Sequence, residues 1–191
     1  MIGVSKMYFD IPNFLGISDF KIVEPYNNYC NSDILIISNG YFDKVRLFNP
    51  DSEIMEVKSA TFLELIETLE NFKRLEIGDL KTIDESINYL KKKDLDLKTK
   101  NRDFILNFGY NVTSNSKFIE KIINDLGFNR YPFEKNILIV PDYDLNLKNA
   151  SNFDLKIVLK THKYGLSTVE RIEDRYLSIL NSLNNIHPNK T

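Results

Sequence analysis

Four short stretches of this sequence hold the side chains whose types and spacing could do chemistry. In "VPDYD", Asp142 and Asp144 stand two residues apart, so in extended backbone both carboxylates project to one side, a pair suited to a hard cation or to sharing a proton. In "KTHKYG", His162 stands beside Lys163 and Tyr164, and a histidine that titrates near neutrality is the best general acid or base on offer. "SNGYF" and "GYNVTSNS" bring Asn39, Tyr41, Tyr110 and Asn111, uncharged groups that recognise a ligand by hydrogen bonds and flat apolar area. Each stretch also has a plainer use. Asn, Asp, Ser and Thr favour turns and helix caps because their side chains satisfy nearby backbone groups, and Ser114, Asn115 or Ser116 is expected to cap a helix. Free amides at that helix start could instead hold a phosphate or carboxylate.

Other chemistries lose support. Neither a GxGxxG nor a GxxxxGK[ST] phosphate loop is present, and no G-x-S-x-G elbow or H-E-x-x-H pair supports hydrolysis. The single cysteine, Cys30, excludes an internal disulfide framework and a multi-cysteine zinc site, which suits a reducing compartment. A formal net charge of −2 gives no global attraction to nucleic acid. Apolar runs such as "ILII" and "ILIV" fall far short of the roughly 20 residues that cross a bilayer. The amino terminus, with Asp10 where a signal peptide needs its apolar region, reads as folded chain. The expectation is therefore a cytoplasmic protein with no nucleic-acid partner and no membrane insertion.

The elements that must position these stretches follow from hydrophobic periodicity. Asp33 to Ser38 ("DILIIS"), Asn136 to Val140 ("NILIV") and Leu155 to Leu159 ("LKIVL") are apolar runs that suit buried strands of a parallel sheet, and Glu53 to Val57 is a further strand. Asp103 to Phe108 ("DFILNF") is expected to be another, leaving "GYNVTSNS" as the loop behind it. Amphipathic helices are expected from Thr61, from Thr82 with Glu85 as a capping box, through Phe118 to Leu126 ending at Gly127, and from near Ser167. Lys91 to Lys93 would close the second, with "LDLKTKN" an exposed connection. The alternation gives an α/β class: two small layered lobes with mostly parallel strands, joined by a helical connection, with residues 1–98 as first lobe plus connecting helices and 99–191 as second lobe.

From "SDILIISNGYF" onward, this order resembles the helical-backbone class of periplasmic substrate-binding proteins, which includes cobalamin, siderophore and metal receptors. "FILNFGYNVTSNSKFIEKIINDLGF" is similar to the opening of that class's second lobe, and "LKIVLKTHKYGLSTVERIEDRYLSIL" to its close. The resemblance implies a cleft between two lobes, here in a shortened cytoplasmic relative. It does not imply the ligand: with only His162 and His187, a three-histidine metal site is impossible, and no metal is expected. The leading reading is a binding protein holding a polar or cofactor-related small molecule between loops around Asn39, Tyr41, Tyr110, Asn111, Asp142, His162 and Tyr164. Two alternatives stay open: an enzyme or accessory protein of cofactor metabolism using His162 and Asp142/Asp144, and a protein-interaction or homo-oligomeric subunit presenting "MYFDIPNFLGISDF".

Overall fold

A computed structural model describes residues 1–128, 133–143, 153–160 and 165–186, and divides the chain into two compact units. Unit 1 is Met1–Asp94 with Ser167–Val169; unit 2 is Leu95–Leu166 with Glu170–Thr191. His162, Tyr164, Asp144 and His187 lie outside the described residues.

Unit 1 is built on four parallel strands, β1 (Ile2–Ser5), β2 (Phe20–Val23), β3 (Ile34–Ser38) and β4 (Glu53–Val57), in the spatial order β2-β1-β3-β4. The continuous apolar run in β3 has its expected cause: Leu35, Ile36 and Ile37 are all fully buried, so both faces are covered. Leu35 and Ile37 pack with Cys30, Val45 and Ile54. Helices α1 (Ile11–Phe14), α2 (Phe42–Phe48) and α3 (Phe62–Arg74) connect or follow the strands, and α2 and α3 pack on β4. A capping box starts α3, with Thr61 Oγ1 accepting from the Glu64 amide at 3.1 Å and Glu64 Oε2 accepting from the Ala60 amide at 2.9 Å. Gly78 then makes a turn no other residue would make at low cost, because its φ is +102° and an added Cβ would lie 2.4 Å from the Leu15 carbonyl oxygen.

The helix after that turn departs from expectation. The same Ser/Thr-x-x-Glu spacing at Thr82 and Glu85 makes no cap; Asp79 does, accepting from the Thr82 amide at 2.7 Å and the Thr82 hydroxyl at 2.6 Å. Helix α4 runs on from Leu80 to Lys100, through Lys91–Lys93 and "LDLKTK", and carries the chain from one unit into the next. No Gly or Pro interrupts this segment, so nothing in it stops a helix once started.

Unit 2 corrects a second expectation. Residues Arg102–Asn107 are a helix, α5, and the strand is the segment taken for a polar loop, β5 (Asn111–Ser114). Ile105 and Phe108 are buried, and Phe104 and Phe108, four apart, put their ring centroids 5.3 Å from each other; that is helical spacing within a run too short to betray its period. Three parallel strands follow the order β5-β6-β7, with β6 (Asn136–Pro141) in the middle, buried from Ile137 to Val140, and β7 (Leu155–Leu159) beside it. Helix α6 (Lys117–Leu126) buries Ile119, Ile122, Ile123 and Leu126, and Gly127 closes it at φ +88°. Helix α7 (Thr168–Ile186) buries Ile172, Tyr176, Ile179, Leu180 and Leu183, and the Tyr176 hydroxyl donates to Asp125, which Lys98 also meets at 3.0 Å. The chain is thus α/β, with two parallel sheets in two units, as its alternating pattern implies.

Candidate functional site

Strand order in unit 1 creates a place for a ligand. The chain leaves β1 for β2 on one side, then returns past β1 to lay β3 on the other, and loops diverging from such a switch point leave a crevice at the carboxyl ends of the strands. A pocket of about 440 Å³ lies there. Ser5, Lys6 and Met7 line it from the end of β1, Val23 and Glu24 from the end of β2, and Ser38 from the end of β3. Tyr26 and Asn27 close it from the β2–β3 connection, and Tyr41 and Lys44 from the start of α2.

The pocket wall is held by specific bonds. Tyr26 and Tyr41 meet edge to face with ring centroids 5.2 Å apart, and the Ser38 amide donates to the Tyr26 hydroxyl at 3.2 Å. The connection that carries Tyr26 is fastened by Asn49, a fully buried side chain. Its Oδ1 accepts from the Cys30 amide at 2.8 Å, while Nδ2 donates toward the carbonyls of Asn28 at 3.0 Å and Pro25 at 3.2 Å. At the start of α2, the amides of Gly40, Tyr41 and Phe42 all donate to Glu56 Oε1, at 2.7, 3.1 and 3.2 Å. The chain's own carboxylate therefore fills that ring of donors. Ser5 differs from these residues. It is 1% exposed, yet its Oγ has no hydrogen-bond partner among the described residues, a state that costs a hydroxyl about 1–3 kcal/mol.

The structure separates the residues singled out by sequence. Tyr41 lines the pocket, and exposed Asn39 lies on the adjoining turn, its amide donating to the Val57 carbonyl at 3.2 Å. Tyr110 and Asn111 do not follow a strand; Tyr110 precedes β5 and Asn111 is its first residue, at the amino edge of the unit 2 sheet, opposite the edge reached by Asp142 after β6. Asn111 is committed to structure: Nδ2 donates to the Phe133 carbonyl at 2.6 Å and to Asn136 Oδ1 at 3.0 Å, and Oδ1 accepts from the Phe133 amide at 3.1 Å. Tyr110 lies against Phe108, and Lys135 Nζ stands 5.7 Å from its ring centroid. Asp142 is half-buried, with its amide donating to the Leu159 carbonyl at 2.9 Å.

The expected helix cap also works differently. Ser116 occupies the cap position of α6 without a side-chain bond to the helix. Glu120 Oε2 instead accepts from the Ser114 amide at 2.8 Å, and Ser114 Oγ donates to the Ile139 carbonyl at 2.6 Å. Glu120 thus ties the first turn of α6 back to the last residue of β5. Burial pushes the Cys30 thiol up from its ordinary value, against the smaller opposing pull of Lys21, so it is no activated nucleophile.

Sequence reasoning missed Ser5, Lys6, Tyr26 and Lys44. Their signal was weak: β1 and β2 are only four residues each, too short for alternation to stand out. Among the described residues no group of three or more His, Cys, Asp or Glu side chains is placed to hold a metal ion, and no helix is long and apolar enough to cross a membrane.

Comparison with known proteins agrees with this architecture. A Mn-bound variant of a periplasmic metal-binding protein from Candidatus Liberibacter asiaticus superposes with a TM-score of 0.58 at 10% identity, covering 95% of this chain and 99% of that one. A Zn(II)-bound variant of AdcAII from Streptococcus pneumoniae gives 0.62 at 9% identity, covering 96% and 98%. Such low identities speak for the fold alone, which this chain shares with both proteins. In sequence, the chain is 46% identical over 182 residues to "Uncharacterized protein MJ0786" of Methanocaldococcus jannaschii, covering 95% of this chain and 93% of that protein. Residues 3–94 match the MJ0786 family N-terminal domain and residues 109–188 its C-terminal domain: the chain belongs to the MJ0786 family.

Proposed function

We propose that this protein binds a small polar molecule in the unit 1 pocket, as a cytoplasmic relative of the helical-backbone substrate-binding class. The observation that carries the reading is Ser5. A hydroxyl buried beside a pocket without a partner among the described residues is a standing cost to the folded protein, and a ligand offering a donor or acceptor there would remove it. The position at the switch point and the pair of tyrosines support the same role. The fold neighbours include metal-binding proteins of the periplasm, which fits a binding role. A lone, buried cysteine is compatible with a reducing cytoplasm.

Native mass spectrometry of gently purified protein tests the proposal. Wild type should carry a stoichiometric small-molecule adduct that denaturation releases. Tyr41→Ala should reduce its occupancy, and Ser5→Ala should reduce it while leaving the fold at least as stable. An adduct equally retained in both variants would refute the site, and a wild type without adduct would count against the function.

A further inference from the structure

The pocket's charge points to the chemical class of its occupant, an inference that rests on the binding role just proposed. Two ammonium groups, Lys6 and Lys44, line it against one carboxylate, Glu24. Both lysines are exposed, and neither forms a hydrogen bond or ion pair with any described residue, in contrast to Lys21, which donates to the Cys30 carbonyl at 2.6 Å. The remaining lining is half apolar in character. Met7 is 46% exposed, with the Ser38 hydroxyl donating to its sulfur at 3.9 Å, and the Tyr26–Tyr41 pair presents ring surface at a centroid spacing of 5.2 Å.

A bare divalent cation fits this lining poorly. It would meet one carboxylate and two repelling ammonium groups, whereas hard cations collect several oxygen ligands with a surplus of negative charge. A small organic anion meets the opposite situation. Its charged oxygens can lie between two lysines that are not neutralised elsewhere, the Ser5 hydroxyl can add a hydrogen bond, and an apolar or aromatic body can rest on Met7 and the tyrosines. We infer that the ligand is a small organic anion, a carboxylate or a phosphate monoester, with an apolar or aromatic body.

Isothermal titration calorimetry on the full chain tests this with benzoate, phenyl phosphate, the neutral amide benzamide, and MnCl2. The two anions should bind better than benzamide or Mn²⁺, with affinity falling as salt is added, and whichever anion is tighter separates the carboxylate from the phosphate source. The double variant Lys6→Gln/Lys44→Gln should weaken anion binding roughly 5- to 20-fold, and Tyr41→Ala should weaken every compound that binds. If benzamide or Mn²⁺ binds as well as the anions, or the lysine variant binds them unchanged, while Tyr41→Ala still weakens binding, the anion inference fails and the pocket reading survives. If no compound binds, or Tyr41→Ala changes nothing, both fail together.

Discussion

The first turn of α7 offers a sharp test of how unit 1 is held together. Thr168 is fully buried, and its donors are both taken by a residue 158 positions earlier: the amide donates to Asp10 Oδ2 at 2.6 Å and the hydroxyl to Asp10 Oδ1 at 2.7 Å. Asp10 is itself 6% exposed, so both bonds to its carboxylate are shielded from water. A hydrogen bond to a charged group contributes about 1.5–3 kcal/mol, and a carboxylate at a helix start gains further from the dipole. Asp10→Ala removes two such bonds and strands two buried donors, so it should destabilise by about 3–5 kcal/mol, lowering Tm by roughly 6–20 °C in a chain of this size. Asp10→Asn keeps one acceptor oxygen and should cost about 1–2.5 kcal/mol. Urea unfolding followed by circular dichroism gives these values, and the cycle with Thr168→Val isolates the hydroxyl bond, with an expected coupling of about 1–2 kcal/mol. An Asp10→Ala loss below about 1 kcal/mol, or no coupling with Thr168, would refute the shielded-cap argument.

Two further outcomes follow from bonds in the same unit. Asn49→Ala should cost about 2–4 kcal/mol in urea unfolding, because it leaves the Cys30 amide and two carbonyls of the β2–β3 connection without their partner; it should also loosen the Tyr26 wall, so backbone amide exchange in residues 25–30 should accelerate more than in β4. Asp79 supplies a pH test. Its hydrogen bonds from the Thr82 hydroxyl and amide hold its carboxyl below the ordinary aspartate value, so its contribution is present above the unfolded-state pKa and disappears as pH falls through the folded-state pKa. Asp79→Ala should therefore lower the urea midpoint near neutral pH and converge on wild type in strong acid; an equal gap at both would show that the carboxylate charge is not what caps α4.

Legibility tracked the distance over which each feature is decided. The runs at Ile34–Ser38 and Asn136–Pro141 were readable because burial on both faces writes itself into consecutive residues. Gly127 was readable because a left-handed cap is a local demand. "DFILNF" and "NVTS" were misread because each is shorter than two helical turns, and what decides between them is tertiary: Val112 and Thr113 find Ile137 and Leu138 as strand partners, while Phe108 finds Phe128 at a centroid distance of 5.6 Å. The caps show the same rule in small. Thr61 and Thr82 share one spacing with a glutamate, yet at Thr82 an aspartate three residues earlier wins the amide. The cap on Thr168 lies beyond any local pattern, because its carboxylate stands at the other end of the chain.

The candidate site was hardest to see for a related reason. Its members are not a motif but side chains at and just beyond the ends of three strands, gathered because β3 returns to the far side of β1. Tyr41 stood out by size and Asn39 by its turn, whereas Ser5 and Lys6 are ordinary residue types at the end of a four-residue strand. What marks Ser5 is only what folding does to it, which is to bury a hydroxyl and supply no partner from the described residues. In a unit where Asn49, Glu56 and Thr61 each bond nearby backbone groups, a buried hydroxyl left without a partner among the described residues, next to a lysine-flanked pocket, is the physical feature on which the proposed binding role rests.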